Sequence, residues 1–264
     1  MIPQAYITEW SHEVPWKSNE QVEQDLVICR ALIHLFSDEW LASSLAFRGG
    51  TALHKLYLSP QARYSEDIDL VQIRKEPIKE TIQRIQEALS FLGESSVKPK
   101  KNGNQIFYKF DSEFPPVQKL RLKIETNTRE HFTVMGFHKT SFKLESSWHS
   151  GCCEINTYNL EELLGTKLRA LYQRRKGRDL FDLYIALMRK PELNTNAIIE
   201  SYKEYMNRSV DKPPTQKQFL LNMEEKIIDS EFLGDTKALL RHGIDYDPEN
   251  AYELIKSELI EKII

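Results

Sequence analysis

Only three cysteines occur in the 264 residues, Cys29 and the adjacent Cys152 and Cys153. An odd and poorly spaced set makes no disulfide framework, and no CxxC or Cys/His spacing offers a zinc site, so the chain suits a reducing cytosol. Long apolar runs are missing too: nothing approaches the length of a membrane span. The first residues, MIPQAYITEWSHEVPW, carry acids and lack the apolar core of a signal peptide. The expectation is a cytoplasmic protein with no membrane partner. Nor is there an excess of positive charge, since 36 Lys and Arg face 39 Asp and Glu for a net charge of −3. That excludes a protein that coats nucleic acid non-specifically, but not one with a local basic patch.

What is present is the composition of a globular protein, 41% hydrophobic and 28% charged, long enough for one large domain or two small ones. Its most informative segment is FRGGTALHKLYLSPQARYSEDIDL, residues 47–70. An apolar strand ends at Phe47, Gly49-Gly50-Thr51 turns into a short helix carrying Leu53 and Leu56, and a second strand follows a loop. Strand side chains alternate, so Ser65, Asp67 and Asp69 share one face while Ile68 and Leu70 share the other. Two adjacent carboxylates repel unless a cation lies between them. Glycine lets a backbone approach phosphate, and a helix start presents free N–H groups to it. Together these features read as a magnesium and phosphate site.

Ser18-Asn19-Glu20-Gln21 can form a capping box, and Val22, Leu26, Ile33 and Phe36 continue at helical spacing over about 19–36. A second amphipathic helix, 77–92, carries Ile78, Ile82, Ile85 and Leu89 and stops at Gly93. The polar stretch SSVKPKKNGN, 95–104, reads as a loop, and 105–110 and 117–126 read as strands. In the second of these strands Leu120, Leu122 and Ile124 alternate with Arg121, Lys123 and Glu125, which makes Glu125 the expected third metal carboxylate. From about 159 the pattern is helical. Asn159 and Glu162 can box the start of NLEELLGTKLRALYQRR, whose apolar stripe includes Lys167, either snorkelling or aimed at a triphosphate. Arg178, Asp179 and Asp182 then lie one turn apart on the next helix, read most simply as a local salt bridge. A further helix starts at Asp247-Pro248. The division is an α/β part, 1–150, and a helical part, 151–264, with too little Gly and Pro between them for a flexible linker.

The ordered blocks GGTALHK, RYSEDIDL, LKIETNTRE and LLGTKLRALYQRRKGRDLFDL resemble the AbiEii/AbiGii nucleotidyltransferase-like toxins, a family that includes the mycobacterial MenT group. The likeness spans about 30–190. The resemblance implies an α+β fold: a polymerase beta-like mixed sheet with flanking helices, followed by an all-helical C-terminal half that adds a Lys and an Asp to the site. It gives Gly49, Gly50 and Thr51 to nucleotide phosphates, with Lys55 nearby, and puts Ser65 beside the triphosphate. It gives Asp67, Asp69 and Glu125 to magnesium, with Glu125 helping to activate the attacking hydroxyl. Lys167 would lie near the triphosphate, and Asp182 takes the place of the family's helical acid. The implied reaction moves a nucleoside monophosphate from a nucleoside triphosphate to a hydroxyl. In relatives that hydroxyl is the 3′ end of tRNA, and the resemblance also implies an antitoxin encoded alongside. The basic run Arg174-Arg175-Lys176-Gly177-Arg178 is a candidate for acceptor phosphates. Modification of a small molecule or protein hydroxyl, and nucleotide binding without turnover, stand as alternatives.

Overall fold

Ser18 accepts the Gln21 N–H at 3.3 Å and opens the first long helix in a computed structural model that describes residues 2–263. The chain divides into two units. The first comprises the residues through Leu56, then Tyr64–Thr133 and Phe137–Tyr158. Its elements are α1 (Gln4–Trp10), α2 (Asn19–Ser37), α3 (Glu39–Ser44), β1 (Leu45–Arg48), α4 (Gly49–Ala52), β2 (Asp67–Gln72), α5 (Ile78–Ala88), β3 (Ser95–Lys100), β4 (Gly103–Asp111), β5 (Lys119–Asn127), β6 (Phe137–Glu145) and β7 (Ser150–Tyr158). The strands form one sheet in the order β3-β4-β5-β2-β1-β7-β6. It is mixed, because β2 pairs antiparallel with β1 but parallel with β5, and β1 pairs parallel with β7.

Period-two patterning decides which face is core. Ile68, Leu70, Ile106, Tyr108, Leu122 and Ile124 are buried, and α2 packs against β5, β6 and β7. The alternate residues Asp67, Asp69, Gln105, Phe107, Lys123 and Glu125 are only half-buried on the opposite face. Two features differ from the sequence reading. Residues 95–104 are not a loop: Ser95–Lys100 is an edge strand paired only with β4, so its side chains stay exposed and its composition looks like a loop's. The division expected at 150 falls inside β7, which completes the sheet, and the first unit runs to Tyr158.

The second unit comprises Tyr57–Arg63, Val134–Gly136 and the chain from Asn159 onward. Its helices are α6 (Leu160–Gln173), α7 (Gly177–Arg189), α8 (Thr195–Ser209), α9 (Gln216–Ile227), α10 (Ser230–Gly234) and α11 (Pro248–Glu258). Helices α6 and α8 cross closely at Gly165, where a β-carbon would come within 2.6 Å of Ser201 Cβ. The expected capping box at Asn159 does not form. Its amide donates instead to the Met135 and Gly136 carbonyls, both at 3.3 Å, while Glu162 accepts the Val134 and Met135 N–H groups and the Tyr205 hydroxyl, each at 2.8 Å. At α11 the reading holds, with Asp247 accepting the Glu249 N–H at 2.8 Å just before Pro248. Among the described residues no helix is long and apolar enough to cross a membrane.

Candidate active site

The sheet register assembles the first group of polar side chains. Arg48 on β1 lies opposite Asp69 on β2, and on the other side Asp69 pairs with Glu125 and Asp67 with Lys123 on β5. All five therefore lie on one face, at the point where β1 gives way to α4. Gly49 makes that turn with a φ of +82°, and a β-carbon there would lie 2.2 Å from Asp69 Oδ2. Only glycine gives both this conformation and this closeness. Gly50 and Thr51 are buried; the Thr51 hydroxyl donates to the Asp67 carbonyl at 2.5 Å and meets the Ser65 hydroxyl at 2.9 Å. These contacts tie the glycine turn to the start of β2.

Charges on this face are unevenly matched. Lys123 Nζ lies 2.7 Å from Asp67 Oδ2 and 3.7 Å from Glu125 Oε2. Lys100 reaches both Glu125 oxygens, at 2.9 and 3.0 Å, and the Gln105 amide donates to Oε2 at 2.6 Å. Burial would raise Glu125, but these partners outweigh it and hold the carboxyl below its ordinary range. Asp69 is different: burial, and then the negative Asp67 beside it, raise its pKa above the usual aspartate value despite the charges of Lys123 and Arg48. Burial raises Asp67 as well, against the pull of Lys123. Arg48 is itself in an ion pair with Glu130. Arg48 belongs to this site by geometry alone, while Lys123 shares the polar face of Glu125 by alternation and meets Asp67 only through the register.

Two hard oxygen donors with raised pKa values, side by side, fit a magnesium ion, which commonly takes only one or two protein carboxylates and completes its shell with water and substrate phosphate. Among the described residues no three acidic, histidine or cysteine side chains converge tightly enough to enclose a metal. Asp67 and Asp69 fit the ion, with Lys123 against Asp67, and Glu125, opposite Asp69 and held by Lys100 and Gln105, is the third carboxylate on this face. Lys55 does not join them. Its ammonium pairs with Asp25 on α2 at 2.9 Å and lies 3.1 Å from Cys29 Sγ; its side chain is 6% exposed and that of Asp25 1%. Given to phosphate by the sequence reading, it is given by the structure to a buried ion pair.

Lys167 and Asp182 lie in the second unit, in a buried network of their own. Lys167 Nζ is 2.7 Å from Asp182 Oδ2 and 3.3 Å from Asp179 Oδ1. Arg63 grips Asp182 through two bonds of 2.6 and 2.7 Å, and Arg174 grips Asp179 at 2.5 and 2.7 Å. Burial opposes ionisation of Asp179, but Lys167 and Arg174 prevail and its pKa is lowered. Lys167, Arg63 and Arg174 share the two carboxylates of Asp179 and Asp182. Lys167 thus does not snorkel: its side chain is 7% exposed. Arg63 went unrecognised in the sequence, since its partner is 119 positions away. The neighbouring basic run is partly paired, with Arg175 on Asp229 at 2.8 Å and Lys176 and Arg178 sharing Asp235 at 3.5 and 3.2 Å.

No curated protein sequence matches this chain. Among solved structures it is similar to MenT4, a nucleotidyltransferase toxin from Mycobacterium tuberculosis H37Rv, with a TM-score of 0.67 at 14% identity over 100% of this chain and 91% of that one. It is also similar to a candidate nucleotidyltransferase from H. pylori, with a TM-score of 0.55 at 18% identity over 94% of this chain and 97% of the other. Identities this low carry the fold. The sequence profile of the nucleotidyl transferase AbiEii toxins of type IV toxin–antitoxin systems matches residues 30–255, which takes in both polar groups, and by that match the chain belongs to the AbiEii nucleotidyltransferase toxin family.

Proposed function

We propose that this protein transfers a nucleoside monophosphate from a nucleoside triphosphate to the 3′ hydroxyl of tRNA, in a magnesium-dependent reaction. The observation that carries the proposal is the register placing Asp69 between Arg48 and Glu125, with Gly49 packed against its carboxylate. In the reaction the acceptor oxygen bonds to the α-phosphorus, the bond from that phosphorus to the bridging oxygen breaks, pyrophosphate leaves with the electron pair, and the hydroxyl proton passes to solvent water. Magnesium, held by Asp67 and Asp69, would supply charge neutralisation at the reacting phosphate. The N–H groups at the start of α4, opened by Gly49 and Gly50, offer a cradle for phosphate oxygens, with Thr51 and Ser65 beside it. Glu125, kept ionised by Lys100 and Gln105, is suited to accept a hydrogen bond from the attacking hydroxyl and orient it; a depressed pKa makes it a weak proton acceptor. Lys167, by the family resemblance, would contact the triphosphate, with Asp182 and Asp179 holding its ammonium.

Family membership extends the proposal to a cytoplasmic toxin whose cognate antitoxin is encoded alongside. The test of the acceptor is to offer each of the four α-labelled nucleoside triphosphates to the protein with tRNA, with a protein mixture, or with neither. Label in tRNA, removed by periodate oxidation of its 3′ end beforehand, is the expected result. Label in protein or only in small molecules transfers the proposal to another acceptor class.

A further inference from the structure

On the same sheet face as Asp67 and Asp69, β3, β4 and β5 carry a basic surface built around one aromatic ring. Phe107 on β4 lies opposite Lys123, one non-neighbouring pair along from Gln105 and Glu125. Two residues of antiparallel strand span about 7 Å, so the ring sits about that far from the Glu125 pair, and Lys109 with Arg121 about twice as far. The Lys98 ammonium and the Arg121 guanidinium stand 5.5 and 5.3 Å from the Phe107 ring centre. Lys98, Lys109 and Arg121 are exposed, and among the described residues none has a carboxylate within ion-pair distance. Lys100, Lys119 and Lys123 on the same strands do, as does the run 174–178 on the other unit.

We infer that this face binds the single-stranded 3′ end of an RNA, one base stacking on Phe107 while Lys98, Lys109 and Arg121 hold its phosphates. The inference rests on the nucleotidyl-transfer reading and adds the path of the acceptor to it. A half-buried phenylalanine on an open sheet face, flanked by unpaired cations, is the combination that binds single strands: a π-face for any base and a charged track for the backbone. A duplex cannot use it, because its bases are already stacked. The line of residues leads from Arg121 past Phe107 to Glu125, so a strand lying along it delivers its terminal hydroxyl to the carboxylates.

Fluorescence anisotropy with a 12-nucleotide RNA labelled at its 5′ end, alongside a blunt duplex and a DNA of the same sequence, tests this on the full chain. Phe107→Ala should weaken single-strand binding about 5- to 150-fold, and Phe107→Trp should restore it. Arg121→Gln should flatten the dependence of log affinity on log salt by about 0.7. Unchanged affinity in Phe107→Ala, tighter binding of the duplex or of the DNA, or equal competition by polyglutamate would overturn the inference. Nucleotide affinity of the wild type, measured by calorimetry in the same preparation, separates the two failures. Wild type that binds the RNA through Phe107 but no nucleoside triphosphate upholds the surface and defeats the proposed reaction.

Discussion

Gly49 and Asp69 occupy nearly the same space: a β-carbon on the glycine would sit 2.2 Å from the aspartate's Oδ2 and 2.9 Å from its Cβ. The two residues are 20 positions apart in sequence yet form one structural unit, a turn that exists so that a carboxylate can lie against it. Gly49→Ala should therefore displace Asp69 as well as strain the backbone. Gly93 is the natural control, with a φ of +80° and nothing within 4 Å of an added β-carbon. Gly93→Ala should cost about 1–3 kcal/mol from conformation alone. Gly49→Ala should cost distinctly more in thermal unfolding and should also weaken nucleotide binding, which Gly93→Ala should leave alone.

Asp69→Asn sets stability against activity. Burial and Asp67 raise the Asp69 pKa, so the folded state favours the protonated carboxyl more than the unfolded chain does. Its contribution is full below the unfolded aspartate pKa and is lost as pH rises through the raised folded value. At neutral pH the ionised group is a burden, and the amide should raise the melting temperature while transfer falls by at least about 10²–10³-fold. A melting temperature that drops at pH 7.5, with native spectra, would contradict this electrostatic account.

Removal of magnesium should cost most of the nucleotide affinity, since Asp67 and Asp69 would then face a bare triphosphate. The raised pKa values add a sign: the ion competes with protons, so its affinity should climb with pH across a range above that of an ordinary aspartate. Titration calorimetry at several pH values, with magnesium and with chelator, measures both. Equal affinity with and without the metal would remove the metal site from the account.

Lys167→Met separates the buried network from a snorkelling lysine. A snorkelling side chain would leave stability unchanged; the paired one should lose less than the about 3–5 kcal/mol typical of a broken buried pair, because Arg63 and Arg174 still hold Asp182 and Asp179. Denaturant unfolding reports that loss, and transfer by the folded fraction should collapse. Asp179 has a lowered pKa, so the network's stabilisation is present above the unfolded aspartate value and disappears as pH falls through the lower folded one.

The parts of the site that were legible in the sequence are those made by neighbours in the chain. Gly49-Gly50 before a helix, Asp67-x-Asp69 and the alternation through Glu125 follow from local conformational rules, and the strands β1, β2 and β5 lie where those rules put them. Illegible were the pairings that only a fold creates. The resemblance puts Lys55 near the phosphates, but its partner Asp25 is 30 positions upstream on another helix. In the run 174–178 the sequence shows the cations but not Asp229 and Asp235, which lie more than 50 positions on and pair with part of it. Strand β3 was hidden because an edge strand exposed on both faces needs no apolar pattern. Glu162 has the spacing of a capping box, but three stronger donors were available to it.

Glu23 offers a pH test remote from chemistry. It is fully buried on α2, accepts the Glu113 N–H at 3.0 Å through one oxygen, and burial pushes its pKa up to about 7. Its stabilising contribution is whole below the unfolded pKa of about 4.3 and fades as pH rises to about 7. Glu23→Gln should remove that fade, raising stability at pH 8 by up to about 3 kcal/mol and leaving pH 4 nearly unchanged. Urea unfolding at the two pH values checks it.

The central claim is that Asp67 and Asp69 run nucleotidyl rather than phosphoryl transfer. The most direct measurement follows two labels in parallel, one on the α-phosphate and one on the γ-phosphate of the preferred nucleoside triphosphate, with tRNA and magnesium present. The account predicts α-label joined to the tRNA, γ-label released as pyrophosphate, and neither event with Asp69→Asn. Transfer of the γ-label to the acceptor, or α-label transfer that survives Asp69→Asn, would contradict it.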